Sequence, residues 1–221
     1  MNIGIDIDGV LTDIHGFHAR YAPPFFMRRF QRAVIDKNLF DVQQIFNCPA
    51  KEYRAYWKKY WIRYVITEPA REDAESIVCR FLSEGHTVYI ISKRAFSTQN
   101  NIKGRLMRTF VRNWLRRNGI KYEEIIFCDY TVPESKKLVC LENEIDVMID
   151  DDPENIHVIA PVAKVICYDA VYNRECEGEN ILRAVDWNEV YELIRKMEEI
   201  KARESTRESA SRVSSAYTLR H

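Results

Sequence analysis

The sequence predicts an α/β protein with a doubly wound, Rossmann-like parallel sheet and a small helical cap inserted after the first strand. Three observations support this fold class. A short β-branched run opens the chain, an aromatic-rich segment of different character follows it, and strand-like and helix-like patterns alternate from residue 68 onwards. The length of 221 residues suits one core domain with an inserted lobe.

The composition is that of a globular protein without a bias towards one class of charged partner. Hydrophobic residues make up 46 % and charged residues 30 %, and 33 basic side chains balance 33 acidic ones. We therefore expect neither a nucleic-acid polymer nor a membrane as partner, because the chain has no basic excess and no apolar run of ~20 residues.

The six cysteines and the N-terminus favour a cytoplasmic protein. No two cysteines form a Cys-x-x-Cys motif, and most lie in apolar surroundings, as buried free thiols do. The N-terminus lacks the basic and apolar segments of a signal peptide.

The first strand is predicted from Ile3, Ile5 and Ile7, and it stops before Gly9. Asp6 and Asp8 stand where this strand should end. A turn after Asp6 can bring both carboxylates to one cation, although Asp and Gly also favour solvated turns without any function.

Residues 14–67 are predicted to form the helical cap. Phe26–Leu39 and Lys51–Val65 have the spacing of amphipathic helices, and Pro23-Pro24 is expected to punctuate them. The abundant aromatic residues are expected mainly to fill the interior of this lobe.

Residues 1–13 and 68–202 are predicted to form the core, and residues 203–221 a disordered, Ser- and Arg-rich tail. The nine basic residues between 93 and 121 are expected to lie on a solvated helix face; an anion-attracting or partner surface is the alternative. The predicted core elements are, in order, a helix from Glu68 to about Glu84, a strand Thr87–Ile91, a helix over 101–118 with Ile102, Leu106, Phe110 and Trp114 inward, a strand Glu124–Cys128, a helix Lys136–Asn143, strands Val147–Ile149 and Val165–Cys167, and a helix from Trp187 to about Lys201.

Polar residues that suit phosphate chemistry follow several of these strands. In an open parallel sheet, ligands bind beyond the carboxyl ends of the strands, so these side chains should meet at one edge. Carboxylates without nearby His or Cys select a hard cation, here Mg²⁺, whereas a hydroxyl, a lysine and free backbone N–H groups suit a phosphate. The residues concerned are Asp6, Asp8, Ser92, Lys93, Lys136, Asp150 and Asp151.

Four short motifs in this set resemble those of the haloacid dehalogenase-like (HAD) superfamily. They are DIDGV at 6–10, the Ser92 of IIS, Lys136 and MIDDD at 148–152. The resemblance implies a phosphatase in which Asp6 is the nucleophile that forms an aspartyl-phosphate, and Asp8 is the general acid and then the general base.

The resemblance also implies the remaining site residues. Ser92 and the N–H of Lys93 would bind the phosphoryl oxygens, and Lys136 would neutralise the nucleophile and the phosphate. The adjacent Lys137 is the alternative for this lysine, and Lys136 is preferred because Lys137 then falls on a solvated helix face. The implied Mg²⁺ site comprises Asp6, Asp8 through its backbone carbonyl, Asp150, and Asp151, which would orient the shell around the ion.

Finer features resemble the C-type 5′-nucleotidases, which are 5′(3′)-deoxyribonucleotidase-like. These are DGVLTD at 8–13, the helical insertion after it, IDDDPENI at 149–156 and Tyr172-Asn173-Arg174. The resemblance implies a Mg²⁺-dependent 5′-nucleotidase acting on small nucleoside monophosphates. A phosphatase for sugar or other metabolite phosphates and a catalytically silent nucleotide- and Mg²⁺-binding module are the alternatives.

Four further residues are candidates for contact with the substrate. Phe17, His18 and Tyr21 follow the first motif closely and would overhang the site, where an aromatic ring can stack on a base; packing within the cap is the role expected more often for each of them. Arg94, two residues after Ser92, would meet a substrate phosphate or a cap carboxylate.

Overall fold

A computed structural model of the protein describes the backbone of residues 1–218 and the side chains of residues 1–203. Over this range six strands form one sheet in which every neighbouring pair is parallel. The strands are β1 (Asn2–Ile5), β2 (Thr87–Ser92), β3 (Glu124–Phe127), β4 (Val147–Asp150), β5 (Lys164–Tyr168) and β6 (Ile181–Ala184).

Eight helices accompany the strands in the described part of the chain. They are α1 (Ile14–Phe30), α2 (Val42–Ile45), α3 (Ala50–Thr67), α4 (Ala74–Ser83), α5 (Ile102–Arg117), α6 (Ser135–Glu142), α7 (Pro153–Ile159) and α8 (Trp187–Thr218). The first three form the inserted segment between β1 and α4. The predicted α/β fold with an early helical insertion is confirmed.

The strand order β3-β2-β1-β4-β5-β6 is that of a doubly wound sheet whose order reverses beside β1. Ile5 pairs with Ile90 on one side and with Ile149 on the other, so β1 lies between β2 and β4. The backbone N–H of Asp6 donates to the carbonyl of Ile149 at 3.0 Å. The carboxyl ends of β1 and β4 are thereby adjacent, at the position where such sheets bind ligands.

Both faces of the sheet are covered, because alternate residues of each strand face opposite sides. On one face Ile3, Ile5 and Ile149 belong to a core that includes α4, α5 and α8. On the other face Met148 and Cys167 belong to a second core that includes residues of α6 and α7. This two-sided burial explains why the strands read as nearly continuous apolar runs.

The first cap helix differs from the prediction. A helix over Phe26–Leu39 was expected, but α1 ends at Phe30, where Gln31 adopts a left-handed conformation, and it contains Pro23 and Pro24. The aromatic side chains explain the difference. Phe25 and Phe26 are buried against Tyr56 of α3, and this packing extends α1 through the two prolines. The second predicted cap helix, Lys51–Val65, is confirmed as α3.

The inward face of α5 also differs from the prediction. Ile102 is 74 % exposed and Leu106 45 % exposed, whereas Met107, Val111 and Trp114 are buried. The buried side of α5 is therefore rotated from the expected one. The basic side chains of this helix still lie mostly at the surface. In addition, α4 begins at Ala74 rather than near Glu68.

Two short elements, α7 and β6, were not predicted from the sequence. Both are short: α7 has seven residues and β6 four. At the C-terminus α8 continues to Thr218, beyond the predicted end near Lys201 and through most of the stretch expected to be disordered. No Gly or Pro interrupts 187–218. Residues 219–221 lie outside the described residues.

None of the helices described here is both long enough and apolar enough to cross a membrane.

The buried Trp114 should contribute strongly to stability, and Ile102 on the same helix should not. Trp114 is buried, and its indole Nε1 donates to the carbonyl of Glu68 at 2.6 Å, at the end of the cap. Trp114→Ala should lower the free energy of unfolding by about 3–5 kcal/mol in urea denaturation. Ile102→Ala should change it by less than about 0.5 kcal/mol. A similar loss in both variants would contradict the observed orientation of α5.

Candidate active site

Three aspartates meet at the carboxyl ends of β1 and β4. Asp6 follows β1 directly, Asp150 is the last residue of β4, and Asp151 comes next; all three side chains are buried. One carboxylate oxygen from each lies within 4.8 Å of the others. The predicted convergence of acidic strand ends is thus present in the fold.

Gly9 makes this close approach sterically possible. Its backbone φ angle of +93° is one that residues other than glycine rarely adopt, and a Cβ atom at this position would lie 1.9 Å from Asp151 Oδ2. The turn after Asp6 therefore brings the chain directly against the Asp151 carboxylate.

Lys136, near the start of α6, lies between two of the three carboxylates. Its buried Nζ is 2.7 Å from Asp6 Oδ1 and 2.6 Å from Asp150 Oδ2. Lys137 instead pairs with Glu134 at 3.0 Å, nearer the surface. The geometry therefore places Lys136, and not Lys137, at the candidate site.

One lysine does not balance the negative charge of the three carboxylates in this cluster. Burial and the neighbouring carboxylates of Asp150 and Asp8 raise the pKa of Asp6 to about 7, although Lys136 opposes this rise. Burial and the charges of Asp150 and Asp6 hold the pKa of Asp151 well above its usual range. Burial disfavours a charged Lys136, but the two adjacent carboxylates outweigh that effect and raise its pKa. Three ionised carboxylates here require further positive charge.

A divalent cation fits this cluster. Asp151 Oδ1 is buried and has no hydrogen-bond partner among the described residues, which is costly unless a ligand satisfies it. The donor set of Asp6, Asp150 and Asp151 consists of carboxylate oxygens, as hard cations prefer. The side chain of Asp8 is not part of this group; its expected contribution to the cation site is the backbone carbonyl.

Asp8 is held by residues from two other parts of the fold. Arg94 donates from Nε to Asp8 Oδ2 at 2.8 Å and from Nη2 to Oδ1 at 2.6 Å. The hydroxyl of Tyr64, a cap residue, also donates to Oδ1. Burial alone would raise the pKa of Asp8, but the charge and hydrogen bonds of Arg94 and the bond from Tyr64 lower it below its usual range. Arg94 therefore contacts Asp8, and not the cap carboxylate considered from the sequence.

Asp151 is fixed by the loop between β5 and β6. The hydroxyl of Tyr172 donates to Asp151 Oδ2, and Asn173 donates from Nδ2 to the backbone carbonyl of Asp151 at 2.8 Å. Arg183 on β6 bonds to the side chain and the carbonyl of Asn173, both at 2.9 Å. Sequence reasoning gave these residues no role, and the single available signal was the Tyr-Asn-Arg triplet at 172–174.

The neighbouring residues at the end of β2 suit a phosphate. Ser92 is fully buried, and its Oγ has no hydrogen-bond partner in the described part of the chain. Lys93 donates to the carbonyl of Pro133 at 3.1 Å and to Asn155 Oδ1 at 3.2 Å. Lys93 also lines a cavity of about 140 Å³ together with Asp6, Asp8, Lys136 and Asp151.

The cap residues that line this cavity are not the predicted ones. Phe17 is buried within the cap, and its ring centroid lies 4.6 Å from that of Tyr21. His18 is also buried: its Nδ1 lies 2.9 Å from the hydroxyl of Tyr56, and burial lowers its pKa to about 3. The cap side of the cavity is formed instead by Ile14 and Phe40.

Phe40 was missed because it directly follows the segment Phe26–Leu39, which was predicted to be helical. It is 43 % exposed, and its ring centroid is 4.9 Å from that of Tyr172. A cavity of 140 Å³ accommodates a phosphoryl group but is smaller than the ~300 Å³ typical of small-molecule sites. A larger ester must therefore displace part of the cap or extend past it.

A second cavity, of about 650 Å³, lies at the junction of cap and core and shares no lining residue with the first. Its lining includes Asp13, which caps α1 by accepting from the N–H of Gly16, together with Glu68 and Arg71. The larger cavity therefore does not coincide with the acidic cluster.

Comparisons with known proteins agree with this arrangement. The 5′ nucleotidase, deoxy (pyrimidine), cytosolic type C family (NT5C) matches residues 1–204. A nucleotidase of Clostridium acetobutylicum is 26 % identical over 202 residues, which cover 89 % of this chain and 95 % of the relative.

Solved structures share the fold at low sequence identity. A HAD-superfamily hydrolase of Geobacter sulfurreducens has a TM-score of 0.53 and 13 % identity, covering 87 % of this chain and 95 % of the other. A D,D-heptose 1,7-bisphosphate phosphatase of B. bronchiseptica, crystallised with magnesium and phosphate, has a TM-score of 0.51 and 12 % identity, covering 89 % and 98 %. The HAD-like fold predicted from the four motifs is confirmed.

Because the family match spans nearly the whole chain and the fold is that of HAD hydrolases, the chain belongs to the 5′ nucleotidase, deoxy (pyrimidine), cytosolic type C family and is a phosphoric monoester hydrolase.

Proposed function

We propose that this protein is a Mg²⁺-dependent 5′-nucleotidase that hydrolyses (deoxy)nucleoside monophosphates through an aspartyl-phosphate on Asp6. The observation that carries the proposal is the buried group of Asp6, Asp150 and Asp151 around Lys136, together with the unpartnered hydroxyl of Ser92 at the end of the adjacent strand β2. This arrangement combines a nucleophile, a cation site and phosphate donors at one edge of the sheet.

In the first step an oxygen of Asp6 attacks phosphorus, and the bond between phosphorus and the ester oxygen breaks. Asp8 is ionised beside Arg94 and Tyr64, so it must first take up a proton, which the negative charge of a bound phosphate would favour. It then donates that proton to the leaving oxygen, so that the alcohol departs neutral. Ser92 and the N–H of Lys93 bind the phosphoryl oxygens, and Lys136 offsets their charge.

In the second step Asp8, now ionised, takes a proton from water. The water oxygen attacks phosphorus, the bond to Asp6 breaks, and inorganic phosphate and the Asp6 carboxylate are restored. Mg²⁺ held by Asp6, Asp150 and Asp151, with the Asp8 carbonyl as a further candidate ligand, would stabilise the charge that develops on the phosphoryl oxygens. The cap would keep water from competing with the substrate until the alcohol has left.

Support for a nucleotide as substrate comes from the family and from the C. acetobutylicum relative, which is named a nucleotidase. The small cavity holds the phosphoryl end, so the nucleoside would extend towards Phe40 and the cap. The cytoplasm, where nucleoside monophosphates are abundant, is the proposed compartment.

Asp6→Asn should abolish turnover without unfolding the protein. The amide has nearly the same volume but is a poor nucleophile, so kcat should fall by at least about 10³-fold. Phosphate release and circular dichroism would be measured together. Asp13→Asn is the matched control, because asparagine also caps helices, and it should remain active. Activity of Asp6→Asn within tenfold of the wild type would refute the covalent mechanism.

The two adjacent lysines should differ sharply in their effect on activity. Lys136→Met leaves Asp6 and Asp150 without their shared cation, and kcat should fall by about 10²-fold or more. Lys137→Met removes only the pair with Glu134 and should stay within about twofold. Phosphate release by both purified variants would be compared. Equal losses of kcat in the two variants would contradict the assignment of Lys136, rather than Lys137, to the site.

Removal of divalent cations should stop the reaction and lower thermal stability. Phosphate release would be measured from 5′- and 3′-nucleoside monophosphates and from sugar phosphates, with Mg²⁺ and with EDTA. Binding of Mg²⁺ to the acidic cluster should also raise Tm, because a ligand of the native state stabilises it. Turnover in EDTA would contradict the metal requirement, and turnover of sugar phosphates alone would discard the nucleotide substrate.

A further inference from the structure

Tyr64 connects the cap to the first motif through its hydroxyl group. It lies in the last two turns of α3, and it is buried. Its hydroxyl donates to Asp8 Oδ1 and lies 2.7 Å from Oγ1 of Thr12, which is also buried. The hydroxyl of Thr12 is in turn 3.0 Å from the carbonyl of Ile7. A cap residue is thus linked by polar contacts to both Asp8 and Thr12 of the first motif.

Asp8 determines the direction of the Tyr64 hydroxyl. An ionised Asp8 can only accept, so Tyr64 must use its single proton for Asp8. Thr12 donates its own proton to the carbonyl of Ile7 at 3.0 Å, and its oxygen lies 2.7 Å from that of Tyr64.

Asp8 is held from another side by the core. Arg94 binds both carboxylate oxygens, and its guanidinium carbon lies 5.4 Å from the centre of the Tyr64 ring. The carboxylate therefore receives three donors from two separate elements, the segment after β2 and the cap helix α3. A carboxylate with fixed donors on both oxygens is restricted to one orientation.

We propose that Tyr64 is a positioning residue, through which the cap sets the orientation of Asp8 relative to the leaving oxygen. This inference rests on the proposed role of Asp8 as general acid and base. Its consequence is that Asp8 is correctly oriented only when α3 is seated on the core, so proton transfer depends on the position of the cap.

Packing is the alternative role for Tyr64, and one substitution separates the two. The ring lies 5.0 Å from Phe17 and 5.9 Å from Trp57, so Tyr64→Phe retains the packing and removes only the hydroxyl. Tyr60→Phe is the matched control, because Tyr60 lies one turn earlier on α3 and also contacts Phe17 but not Asp8.

The experiment compares two leaving groups. A nucleoside monophosphate needs a proton on its leaving oxygen, whereas the p-nitrophenolate of p-nitrophenyl phosphate departs without one. Tyr64→Phe should lower kcat/KM for the nucleotide about tenfold and kcat/KM for p-nitrophenyl phosphate less than twofold. This ratio reports the steps up to departure of the alcohol and leaves out the second step, in which Asp8 acts as base for both esters. Tyr60→Phe should stay within about twofold for both. An equal loss in kcat/KM with both esters, or no loss with the nucleotide, would overturn the inference.

A second measurement keeps this inference separate from the proposed function. Urea unfolding midpoints would be measured for Tyr64→Phe, Asp8→Asn and the double variant. If Tyr64 holds Asp8, the two shifts will not add, because both substitutions disrupt the same contact. Additive shifts would overturn the inference even in an active enzyme. Failure of the wild type to release phosphate from nucleotides would instead refute the proposed substrate and leave this cycle interpretable.

Discussion

The structure depends on the burial of three carboxylates around one lysine at the reversal point of the sheet. Like charges so close together are unfavourable in a medium of low polarity, and Lys136 compensates only part of that cost. The pKa of Asp6 and that of Asp151 are both raised as a result. The surrounding residues can be understood as the support that this cluster requires. Gly9 lets the chain approach Asp151, and Tyr172 holds one oxygen of that carboxylate.

The cap matters for the same reason. An electrostatic site acts most strongly where water is excluded, and an isolated sheet edge is open to solvent. The aromatic interior of the cap, with α1 packed on α3, provides a rigid cover, and Phe40 and Ile14 bring that cover to the edge of the cavity. Because this cover leaves only about 140 Å³, the part of the proposed nucleotide beyond its phosphoryl group would have to displace part of the cap or extend past it. Binding energy from the nucleoside would then contribute to closing the site.

The sequence reveals the residues that follow buried strands, because strand ends and their carboxylates are local features. Asp6, Asp150 and Ser92 were placed in this way, and the fold confirms their common edge. The contacts that cross the chain could not be read in the same manner. Tyr64 is one aromatic residue among many in the cap. Nothing in the neighbouring sequence indicates its contact with Asp8, which lies 56 residues earlier in the chain. The position of Phe40 at the cavity could not be predicted because Phe26–Leu39 has the spacing of a helix, whereas α1 ends at Phe30, where Gln31 is left-handed.

Asp6 and Asp8 show how two neighbouring carboxylates acquire different properties from one turn. The chain leaves β1 at Asp6, whose side chain joins the buried lysine cluster, while the side chain of Asp8 reaches Arg94 and Tyr64. The first environment raises the pKa of Asp6 and the second lowers that of Asp8. In the proposed mechanism a cation bound beside Asp6 would lower its pKa again and keep it ionised as the nucleophile, whereas Asp8 needs access to the leaving group and water. Because the two side chains have separate partners, the cap can adjust the orientation of Asp8 without disturbing Asp6.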